Sequence, residues 1–509
     1  MKKSERPLFY FSALLLLTAS LQMIANSQAH CQEPGQSPPV YDVVIVGGGL
    51  AGMTAAYYLK EYNIKILEKR NRVGGRAFSR RYKEFTYACG AEYLGKLYGP
   101  LKKITRKLKL NVREIPYPMD VHYHSNQFYY GEMGRALMIA EDASLKDFNR
   151  FVSLIKKIYK KYKDVPEFDL NSDLAKLDMI TAHRWFDQMQ FPEVITHTYN
   201  VTFRGLFGAT SDEISALSAL TEIVFDYEDI RMKEFADKEE LENDPTPGKY
   251  HTGSYSLDKG IAEIPLAIAK HLGAKVQANS TVIEVQKPDD NYTVTYLDAK
   301  NEPHHLRTSI VIFATPAPIT LKIAANLLSA EQKSILQTIP YAPFVTVALY
   351  SSKPIFNQGF DLAVPDGLFF TDVYDATWIQ RFYNPSLKDA QTYITTIYIP
   401  PESHRSTRIL SMSDMEIMEK VYRDLETIFP QVKQIIEGYD IYRFKYAYPV
   451  MTPGAYRRLS KLHEITKGSL LLAGDYTIYP TLEAAADSGV LAAEKAEDWL
   501  EQAEEEKDE

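Results

Sequence analysis

Three closely spaced glycines, set between a β-branched run and a helical pattern, constrain the fold of this chain most strongly. Residues 41–59 read YDVVIVGGGLAGMTAAYYL, and Gly47, Gly49 and Gly52 have the spacing G-x-G-x-x-G. Val43–Val46 is a continuous apolar run, which is typical of a buried parallel strand. In such motifs the first glycine permits a tight turn, the second lets the backbone approach a pyrophosphate, and the third allows close helix–strand packing. The pattern predicts a strand and then a helix whose N-terminus binds phosphate.

The residues after this helix predict a second strand that ends in an acid. The segment IKILEKR follows at 64–70. Glu68 lies about 20 residues after Gly47, where an acid is expected to meet a ribose hydroxyl. Strand, glycine turn, helix, second strand and acid occur in the required order. We therefore predict a nucleotide-binding unit of Rossmann type, and the alternative is a structural glycine turn in an unrelated α/β domain.

Length, composition and charge limit the number of domains and the kind of partner that this chain can have. At about 100–200 residues per domain, 509 residues leave room for roughly two to four domains. Hydrophobic residues make up 45% and charged residues 24%, as in ordinary globular proteins, so a large core is expected. The formal net charge is −8, with basic residues scattered among acidic ones. We therefore expect no nucleic-acid partner.

The cysteine and histidine content argues against a metal centre. Cys31 and Cys89 are the only cysteines, which excludes a disulfide framework and a cysteine-rich metal site. The 11 histidines show no HExxH or other ligand spacing, and His304–His305 falls in a predicted hairpin. Because a zinc site needs three or four N, S or O ligands, we predict no metal.

The N-terminal segment has the pattern of a secretory signal. Basic residues precede an apolar stretch at 8–21, and Ser27 and Ala29 then give a small-x-small cleavage pattern. We predict that residues 1–29 form a signal peptide and that the protein is exported, periplasmic or secreted. An uncleaved membrane anchor and a lipid attached to Cys31 are the alternatives. Membrane contact is expected only through this segment.

The residues that follow Glu68 resemble a segment of a known group of enzymes. The segment LEKRNRVGGR at 67–76 ends in Gly75 and Arg76, directly after the predicted nucleotide-binding unit. It resembles the superfamily that contains flavin amine oxidases, protoporphyrinogen oxidases and phytoene-type desaturases. In that superfamily the nucleotide is FAD rather than NAD.

The other end of the chain shows the same resemblance. SLLLAGDYTIYPTLEAAADSGVLAAEKAEDWL spans 469–500, where a short predicted strand ends in Gly474 and Asp475. The predicted helix then begins with Leu482–Glu483–Ala484, which is similar to the family's Met/Leu–Glu–Gly step with alanine in place of glycine. The resemblance implies that Asp475 meets the ribityl or phosphate region. It also implies that the N–H groups of Leu482–Ala484 face the pyrimidine edge of the flavin.

Two blocks in the middle of the chain complete the resemblance. A glycine–helix–strand segment at 253–298 contains Val282, at the position whose backbone holds the adenine side in the family. The run SIVIFATPAPI at 309–319 resembles the strand that returns to the FAD domain, with Ala314 near its end. The four blocks occur in family order along nearly the whole predicted mature chain.

The resemblance implies an α/β fold with a discontinuous, Rossmann-type FAD-binding domain of the glutathione-reductase kind. We place this domain at 38–98, 250–325 and 440–500. The two insertions, 99–249 and 326–439, are expected to form an α+β substrate domain, the first mostly helical and the second mostly strands before an amphipathic helix. Ligand pockets favour such domain interfaces.

The resemblance also implies which residues contact FAD. Neither cysteine lies near the C-terminal motif, so we expect the flavin to be held non-covalently. Cys89 falls in YACGAEYLG, a segment that lines the flavin in relatives, and a buried, inert thiol is its preferred interpretation. The predicted cofactor-binding residues are Gly47, Gly49, Leu50, Ala51, Gly52, Glu68, Lys69, Gly75, Arg76, Gly90, Ala91, Val282, Ala314, Gly474, Asp475, Leu482, Glu483 and Ala484.

Three residues are candidates for the substrate side of the site. Amine oxidases of this superfamily place a lysine where Thr346 stands, and an aromatic-cage tyrosine where Thr481 stands. Tyr479 lies two residues before Thr481, and Glu92 lies in the segment that lines the flavin. We take Glu92, Thr346 and Tyr479 as candidate catalytic residues, with a structural role as the alternative for each.

The expected chemistry is hydride transfer from a small-molecule substrate to flavin N5, followed by reoxidation by oxygen or a carrier. The segments 446–456 and 472–477 look more like those of desaturases and protoporphyrinogen oxidases, which favours a bulky apolar substrate. A flavin amine oxidase is the first alternative. A non-catalytic protein with a flavin-binding fold is the second.

Overall fold

The described part of the chain forms an α/β structure around two seven-stranded sheets. The elements below belong to one compact unit, Tyr41–Glu509, apart from Val40, the first residue of the first strand. The predicted signal peptide at 1–29 and Cys31 lie outside the described residues. The computed structural model describes residues 40–95, 97–162, 165, 168–228, 234–243 and 252–508.

The strands within these ranges are numbered in chain order. They are β1 (Val40–Val46), β2 (Ile64–Leu67), β3 (Ser79–Tyr82), β4 (Phe85–Ala88), β5 (Val112–Glu114), β6 (Asp120–His124), β7 (Gln127–Tyr130), β8 (Tyr255–Leu257), β9 (Val276–Gln277), β10 (Thr281–Gln286), β11 (Tyr292–Leu297), β12 (Pro303–Phe313), β13 (Tyr341–Ser351), β14 (Asp361–Ala363), β15 (Asp372–Asp375), β16 (Tyr393–Ile399), β17 (Ile436–Pro449) and β18 (Leu470–Leu472).

The α-helices are numbered in the same way. Within the described ranges, no helix is both long and apolar enough to cross a bilayer. The helices are α1 (Leu50–Tyr58), α2 (Gly99–Lys107), α3 (Gly131–Asp142), α4 (Leu145–Tyr162), α5 (Ala182–Met189), α6 (Glu193–Phe207), α7 (Ala216–Glu228), α8 (Lys238–Glu242), α9 (Glu263–Leu272), α10 (Ala317–Ile323), α11 (Ala330–Gln337), α12 (Trp378–Tyr383), α13 (Arg408–Ser411), α14 (Asp414–Ile428), α15 (Ala455–Ile465) and α16 (Leu482–Asp508).

The first sheet has the order β10-β11-β12-β1-β2-β9, with β18 paired to β12. The pairs β1–β2, β2–β9 and β12–β18 are parallel, whereas β10–β11 and β11–β12 are antiparallel. Val43–Val46 of β1 and Leu470–Leu472 of β18 are continuous apolar runs, as is typical of parallel strands that are covered on both faces. Strands distant in sequence therefore end side by side at one edge of the sheet, next to the glycine turn.

The second sheet has the order β17-β13-β16-β15-β14-β6-β7. Side chains alternate between its two faces along each strand. One face is aliphatic, with Val345, Val347 and Ile397, and packs in one buried cluster with Val421 and Leu425 of α14. The opposite face carries tyrosines, threonines and aspartates. We call this opposite face the polar face, and it bears directly on function.

The last helix packs against the first. A Cβ on Gly489 of α16 would lie 2.3 Å from the carbonyl oxygen of Ala51 in α1, so only glycine allows this approach of the two helices. The close contact places the start of α16 beside the glycine turn. The two terminal blocks of the sequence therefore meet in space.

Most of the predicted elements are confirmed. The strand of Val43–Val46, the helix after it and the amphipathic helix α14 are present, and the C-terminal helix extends to Asp508. The hairpin predicted at His304–His305 is formed by β11 and β12. The prediction of a mostly helical first insertion is wrong for 112–130, which forms β5, β6 and β7, and β6 joins the second sheet beside β14.

The predicted domain boundaries remain a prediction. The strands of the first sheet all fall inside the three predicted FAD-domain segments. The predicted boundary at residue 440, however, falls inside β17, and the whole of β17 pairs with β13 in the second sheet.

Candidate functional site

The glycine turn between β1 and α1 is crowded at two of its three glycines and open at the third. Gly47 has φ +109°, and a Cβ there would lie 2.5 Å from the carbonyl oxygen of Ala314. A Cβ on Gly52 would lie 2.1 Å from the carbonyl oxygen of Gly47. By contrast, nothing lies within 4 Å of a Cβ on Gly49. The open space at Gly49 is where the sequence predicts the approach of a pyrophosphate.

Helix α1 presents an N-terminus without a capping side chain to this space. Its N-cap is Gly49, no side chain caps it, and its first turn contains no acid. The first N–H groups of a helix have no partner inside the helix and carry the positive end of its dipole. The turn that contains Leu50 and Ala51 therefore offers free donors to an anion.

Glu68 lies directly after β2 and is tied to the backbone around it. Its Oε2 accepts from the N–H of Gly48 at 2.8 Å, and its Oε1 accepts from the N–H of Arg70 at 2.8 Å. Its carbonyl accepts from the N–H of Ser280, two residues before Val282. Glu68 is buried, whereas Lys69 is exposed. The structure therefore brings Glu68 and Val282 to one end of the glycine turn.

Arg76 and Asp475 form an ion pair that joins the two ends of the chain. The guanidinium donates to both carboxylate oxygens, at 2.6 and 2.8 Å, and donates to the carbonyl of Ala447 at 2.5 Å. The Asp475 side chain is only 5% exposed, whereas that of Arg76 is 35% exposed. The bidentate arrangement fixes the orientation of both groups.

The segments just before Arg76 and just after β4 lie against the same turn. The N–H of Gly74 donates to the carbonyl of Gly48 at 2.7 Å, and a Cβ on Gly75 would lie 3.3 Å from the Cα of Gly49. The N–H of Ala91 donates to the carbonyl of Arg76 at 3.1 Å. A Cβ on Gly90 would lie 2.2 Å from that same carbonyl oxygen, so Gly90 must be glycine here.

The start of α16 differs from the prediction in one respect. The N–H of Ala484 donates to the hydroxyl of Thr481 at 3.2 Å, so the Thr481 side chain caps the helix and this N–H already has a partner. The carboxylate of Glu483 accepts from the N–H of Gly95 at 2.8 Å, and burial raises its pKa to about 7. Gly474 has φ +150° and its N–H donates to Ser488 at 2.8 Å. Glu483 thus holds the loop at Gly95 against this helix.

Glu92 lies beside Tyr398 on the polar face of the second sheet. The Tyr398 hydroxyl donates to the carbonyl of Gly90 and lies 2.9 Å from Oε2 of Glu92. Burial raises the pKa of Glu92 to about 8, although the bond to Tyr398 lowers it. Because a phenol has one proton, both bonds are satisfied when the Glu92 carboxyl carries its own proton. Glu92 is therefore suited to hold a proton at neutral pH.

Thr346 lies next to this pair, whereas Tyr479 does not. Thr346 is directly opposite Tyr398 in the register of β13 and β16, and its hydroxyl donates to the carbonyl of Cys89 at 2.7 Å. Tyr479 instead donates to the carbonyl of Ser218 at 3.2 Å and packs on a phenylalanine of α6. The structure brings Glu92 and Thr346 together and gives Tyr479 contacts in the helical core.

Cys89 has the buried environment expected of an inert thiol. Its side chain is 1% exposed, and burial raises its pKa to about 12. The thiolate, which is the reactive form, is therefore scarce at neutral pH. This supports non-covalent attachment of a flavin.

The sequence did not predict a group of acidic residues on the polar face. Asp361 and Asp372 are on β14 and β15, and the register places Asp361 opposite Tyr374 and Asp372 opposite Tyr398. Burial raises the pKa of Asp361 well above its usual range, and the charges of Asp372 and Asp120 raise it further. Burial likewise raises the pKa of Asp372 to about 6. The alternation in DVYD at 372–375 is the signal that could have identified part of this group.

Aromatic rings surround these carboxyls. The ring of Tyr374 lies 4.9 Å from that of Tyr398 and 5.3 Å from that of Phe360, measured between centroids. The ring of Phe344 lies 5.8 Å from that of Tyr398 and 5.4 Å from that of Tyr448. This aromatic cluster also contains Ala447, whose carbonyl binds Arg76, so it adjoins the ion pair.

A second acidic group lies elsewhere, in the β11–β12 hairpin. Asp298, Glu302 and His304 place one possible ligand atom each within 4.8 Å of one another. Oδ1 of Asp298 accepts from the N–H groups of Lys300 and Glu302, and Oδ2 lies 3.2 Å from the His304 ring. Closure of the hairpin turn accounts for this arrangement, so no metal is needed to explain it.

Comparison with known proteins agrees with this geometry. A family model described as flavin containing amine oxidoreductase matches residues 50–496. The chain belongs to this flavin-containing amine oxidoreductase family. Members of the family use FAD.

Individual relatives of this family member are distant. Amine oxidase [flavin-containing] A of Equus caballus is 24% identical over 333 residues, which cover 63% of this chain and 58% of the relative. The match therefore spans less than two thirds of that curated relative. Cyclohexylamine oxidase of Brevibacterium oxydans, at 17% identity, aligns with a TM-score of 0.67 over 90% of this chain and 100% of its own. A putative protoporphyrinogen oxidase of an Exiguobacterium species, at 16% identity, aligns with a TM-score of 0.66 over 90% of this chain and 99% of its own.

The residues of this family member fit FAD. The uncapped N-terminus of α1 and the open space at Gly49 suit a pyrophosphate, and Glu68 suits a ribose. The Arg76–Asp475 pair adjoins the aromatic cluster through Ala447, where the flavin end is expected. The two solved structures differ in the substrate class of their names but share this fold, so the fold alone does not identify the substrate.

Proposed function

We propose that this protein is an FAD-dependent oxidoreductase that oxidises an amine. The observation that carries the proposal is the group of carboxyls on the aromatic polar face, Asp361, Asp372 and Glu92. Glu92 is bonded to Tyr398, but Oδ1 of Asp361 is buried without a hydrogen-bond partner. A buried polar atom without a partner is costly, and a protonated amine can supply that partner, whereas a purely apolar substrate cannot. The aromatic rings suit the hydrocarbon part of an amine and can face its charge.

Bound FAD supplies a hydride acceptor, and the protein supplies orientation, desolvation and proton handling. The α-carbon of the neutral amine loses its C–H bond as a hydride, and the nitrogen lone pair forms the C=N bond of an iminium ion. The entering amine is protonated in water, so one proton must leave its nitrogen before this step. Asp372, whose pKa burial raises only to about 6, is the carboxylate of the polar face that can take up that proton at neutral pH. Tyr398 holds Glu92 in place through the bond at 2.9 Å.

A dehydrogenase or desaturase of an apolar substrate is the second candidate. It is favoured by one observation at Thr346, where amine oxidases of the superfamily place a lysine. The Thr346 hydroxyl donates to the Cys89 carbonyl, so it offers no free donor toward the flavin. A hydride transfer that needs no lysine is compatible with either candidate.

The test is an anaerobic titration of the FAD-loaded protein, watched at the flavin absorbance band. Candidate donors are a panel of primary amines, isoprenoid hydrocarbons and a porphyrinogen. The proposal predicts bleaching by one or more amines. Bleaching only by isoprenoids or the porphyrinogen would favour the second candidate. Protein that stays colourless and takes up no FAD would favour a non-catalytic binding protein.

We also propose that residues 1–29 direct export. The basic start, the apolar stretch at 8–21 and the small residues Ser27 and Ala29 support this proposal. N-terminal sequencing of protein expressed with its native start should give a chain that begins just after Ala29. Protein that retains Met1 and partitions with membranes would instead indicate an anchor.

A further inference from the structure

Two aspartates on neighbouring strands of the polar face have different surroundings. Asp361 lies opposite Tyr374, and Asp372 lies two residues before Tyr374, so both carboxyls are on one face. Burial raises the pKa of Asp361 well above its usual range, and the charges of Asp372 and Asp120 raise it further. Burial raises the pKa of Asp372 only to about 6. Two nearby carboxyls that titrate apart are suited to opposite roles, one as an acid and one as a base.

Helix α6 lies against Asp372. A Cβ on Gly205 would lie 2.6 Å from Oδ2 of Asp372 and 3.2 Å from the hydroxyl oxygen of Thr371, so the backbone of α6 is in contact with this carboxylate. The residue before Gly205 is Arg204, which is only 8% exposed. The close approach of α6 therefore places a buried guanidinium near Asp372.

Arg204 has a donor that its ion-pair partner does not use. Nη1 of Arg204 donates to Oδ1 of Asp366 at 3.2 Å. Asp366 also accepts from the side chain of Asn200 at 2.8 Å and from the N–H of Gly367 at 3.0 Å. Nε of Arg204, by contrast, is buried and has no hydrogen-bond partner. Buried polar atoms are nearly always bonded, so a second role for this guanidinium is indicated.

The charge of Arg204 acts on Asp372. Against the effect of burial, the bond to the Thr371 hydroxyl and the positive charge of Arg204 both lower the pKa of Asp372. The other titratable groups that face Asp372 within the described ranges are the carboxyl of Asp361 and four phenols. These phenols belong to Tyr93, Tyr374, Tyr398 and Tyr448. Burial raises the pKa of each phenol, so all four are uncharged at neutral pH.

We propose that Arg204 is a positioning residue that keeps Asp372 ionised beside a protonated Asp361, so that Asp372 takes up the proton of the bound amine. The inference rests on the proposed amine oxidation. An N–H bond of the alkylammonium breaks and an O–H bond forms on Asp372, which frees the nitrogen lone pair for iminium formation. Asp361 keeps its own proton and can accept an N–H of the amine at Oδ1. Without Arg204, more of Asp372 would be protonated at neutral pH and the amine would keep its proton.

The first measurement is the pH profile of kcat/KM of the FAD-loaded protein, with the primary amine of the panel that reduces its flavin. In the wild type kcat/KM should fall below about pH 6, where Asp372 becomes protonated, and we call this fall the acid limb. Arg204→Gln removes the cation, so the acid limb should move to higher pH by about one unit or more. Arg204→Lys keeps the positive charge and should restore much of the wild-type profile.

Asp366→Asn is the matched control for this shift. It breaks the ion pair of Arg204 but leaves the guanidinium charge near Asp372. The acid limb should therefore stay in place or move to lower pH. If the Arg204–Asp366 pair had only a structural role, Asp366→Asn and Arg204→Gln would change the profile in the same way, and the inference would be wrong.

The second measurement uses the FAD-loaded protein without substrate. Because the pKa of Asp372 is raised in the folded state, its stabilising contribution is lost as the pH rises through that pKa. Arg204→Gln raises this pKa further, so the melting temperature of the variant should fall more between pH 6 and pH 8 than that of the wild type. When Asp372→Asn is already present, Arg204→Gln should add no such fall.

The outcomes separate the two proposals. If an amine reduces the flavin but the acid limb stays in place in Arg204→Gln, the inference fails while the proposed function stands. An acid limb that survives in Asp372→Asn overturns the inference too, even if Arg204→Gln does not fold. If no amine reduces the flavin, the proposed function fails and the inference falls with it.

Discussion

Glu92 shows how one residue takes its chemistry from its surroundings. Its carboxyl lies between a backbone segment that follows β4 and the hydroxyl of Tyr398, and burial raises its pKa to about 8. The neutral carboxyl is therefore the dominant form in the folded protein at pH 7. In the unfolded chain the same group ionises near its ordinary pKa of 4.5.

This difference predicts a pH dependence of stability. The stabilisation is fully present below pH 4.5 and is lost as the pH rises toward 8, because the folded state then holds a proton that the unfolded state has released. Glu92→Gln removes this loss, since an amide does not titrate. The melting temperature of the variant should therefore fall less between pH 5 and pH 8.5 than that of the wild type.

Melting curves of the two proteins at both pH values test this directly. Glu437→Gln, which changes an exposed glutamate, is the control and should follow the wild type. An equal fall in Glu92→Gln and wild type would contradict the assigned protonation of Glu92.

At the scale of elements, the β1–α1 turn contains one glycine, Gly52, that the fold requires and another, Gly49, that we expect only FAD binding to require. Gly49 has φ −70° and ψ 177°, which alanine adopts readily, and its Cβ would meet nothing within 4 Å. Gly49→Ala should therefore fold with wild-type stability in the absence of FAD. It should bind FAD about 10-fold or more weakly, because the new methyl group occupies the approach of the pyrophosphate.

Gly52→Ala is the matched contrast in the same turn. Its Cβ would lie 2.1 Å from a backbone oxygen, so α1 must shift. The expected cost is about 1–3 kcal/mol of unfolding free energy, or failure to fold. Denaturant unfolding of the apoproteins and FAD titration by fluorescence measure both effects. If Gly49→Ala destabilises the apoprotein as much as Gly52→Ala does, the separate roles given to Gly49 and Gly52 are wrong.

The sequence predicted those elements whose requirements are met by residues close together in the chain. The glycine turn, α1 and the acid after β2 were predictable because turn, dipole and spacing requirements fall within about 30 residues. Strands β6 and β7 were missed because they are short, and β6 pairs with β14, which lies far along the chain. Tyr479 was placed by its closeness to the C-terminal motif, but its side chain turns toward Ser218.

Asp361 and Asp372 could not be grouped before the sheet register was known. Each belongs to a different strand, and only the pairings with Tyr374 and Tyr398 show that both point to one face. A one-residue change of register would place them on the opposite face. The residues of the candidate substrate pocket can therefore be identified only when the strand pairing is known. The nucleotide-binding turn, by contrast, can be identified within one continuous segment of the sequence.

At the scale of the whole molecule, the Arg76–Asp475 pair connects segments from the two ends of the chain. Asp475→Asn leaves Arg76 without its carboxylate. Because the Arg76 side chain is 35% exposed, we expect a moderate loss of about 1–3 kcal/mol and a lower FAD content. The readouts are the melting temperature and the ratio of flavin to protein absorbance.

Asp258→Asn is the control for this prediction. Its partner Arg113 lies 2.8 Å away, and both side chains of that pair are about a third exposed, at 37% and 35%. Loss of such a surface pair costs less than about 1 kcal/mol. If Asp475→Asn behaved like Asp258→Asn in both readouts, the pair would have no special part in holding the two ends together.

The central claim is that distant segments of this chain hold one FAD molecule between them. A crystal structure of the FAD-loaded protein tests it most directly. We predict one FAD with its adenosine ribose at Glu68, its pyrophosphate over Gly49 and its flavin ring between Asp475 and Glu92. An FAD bound elsewhere, or Glu68 and Asp475 in contact with two separate cavities, would contradict the claim.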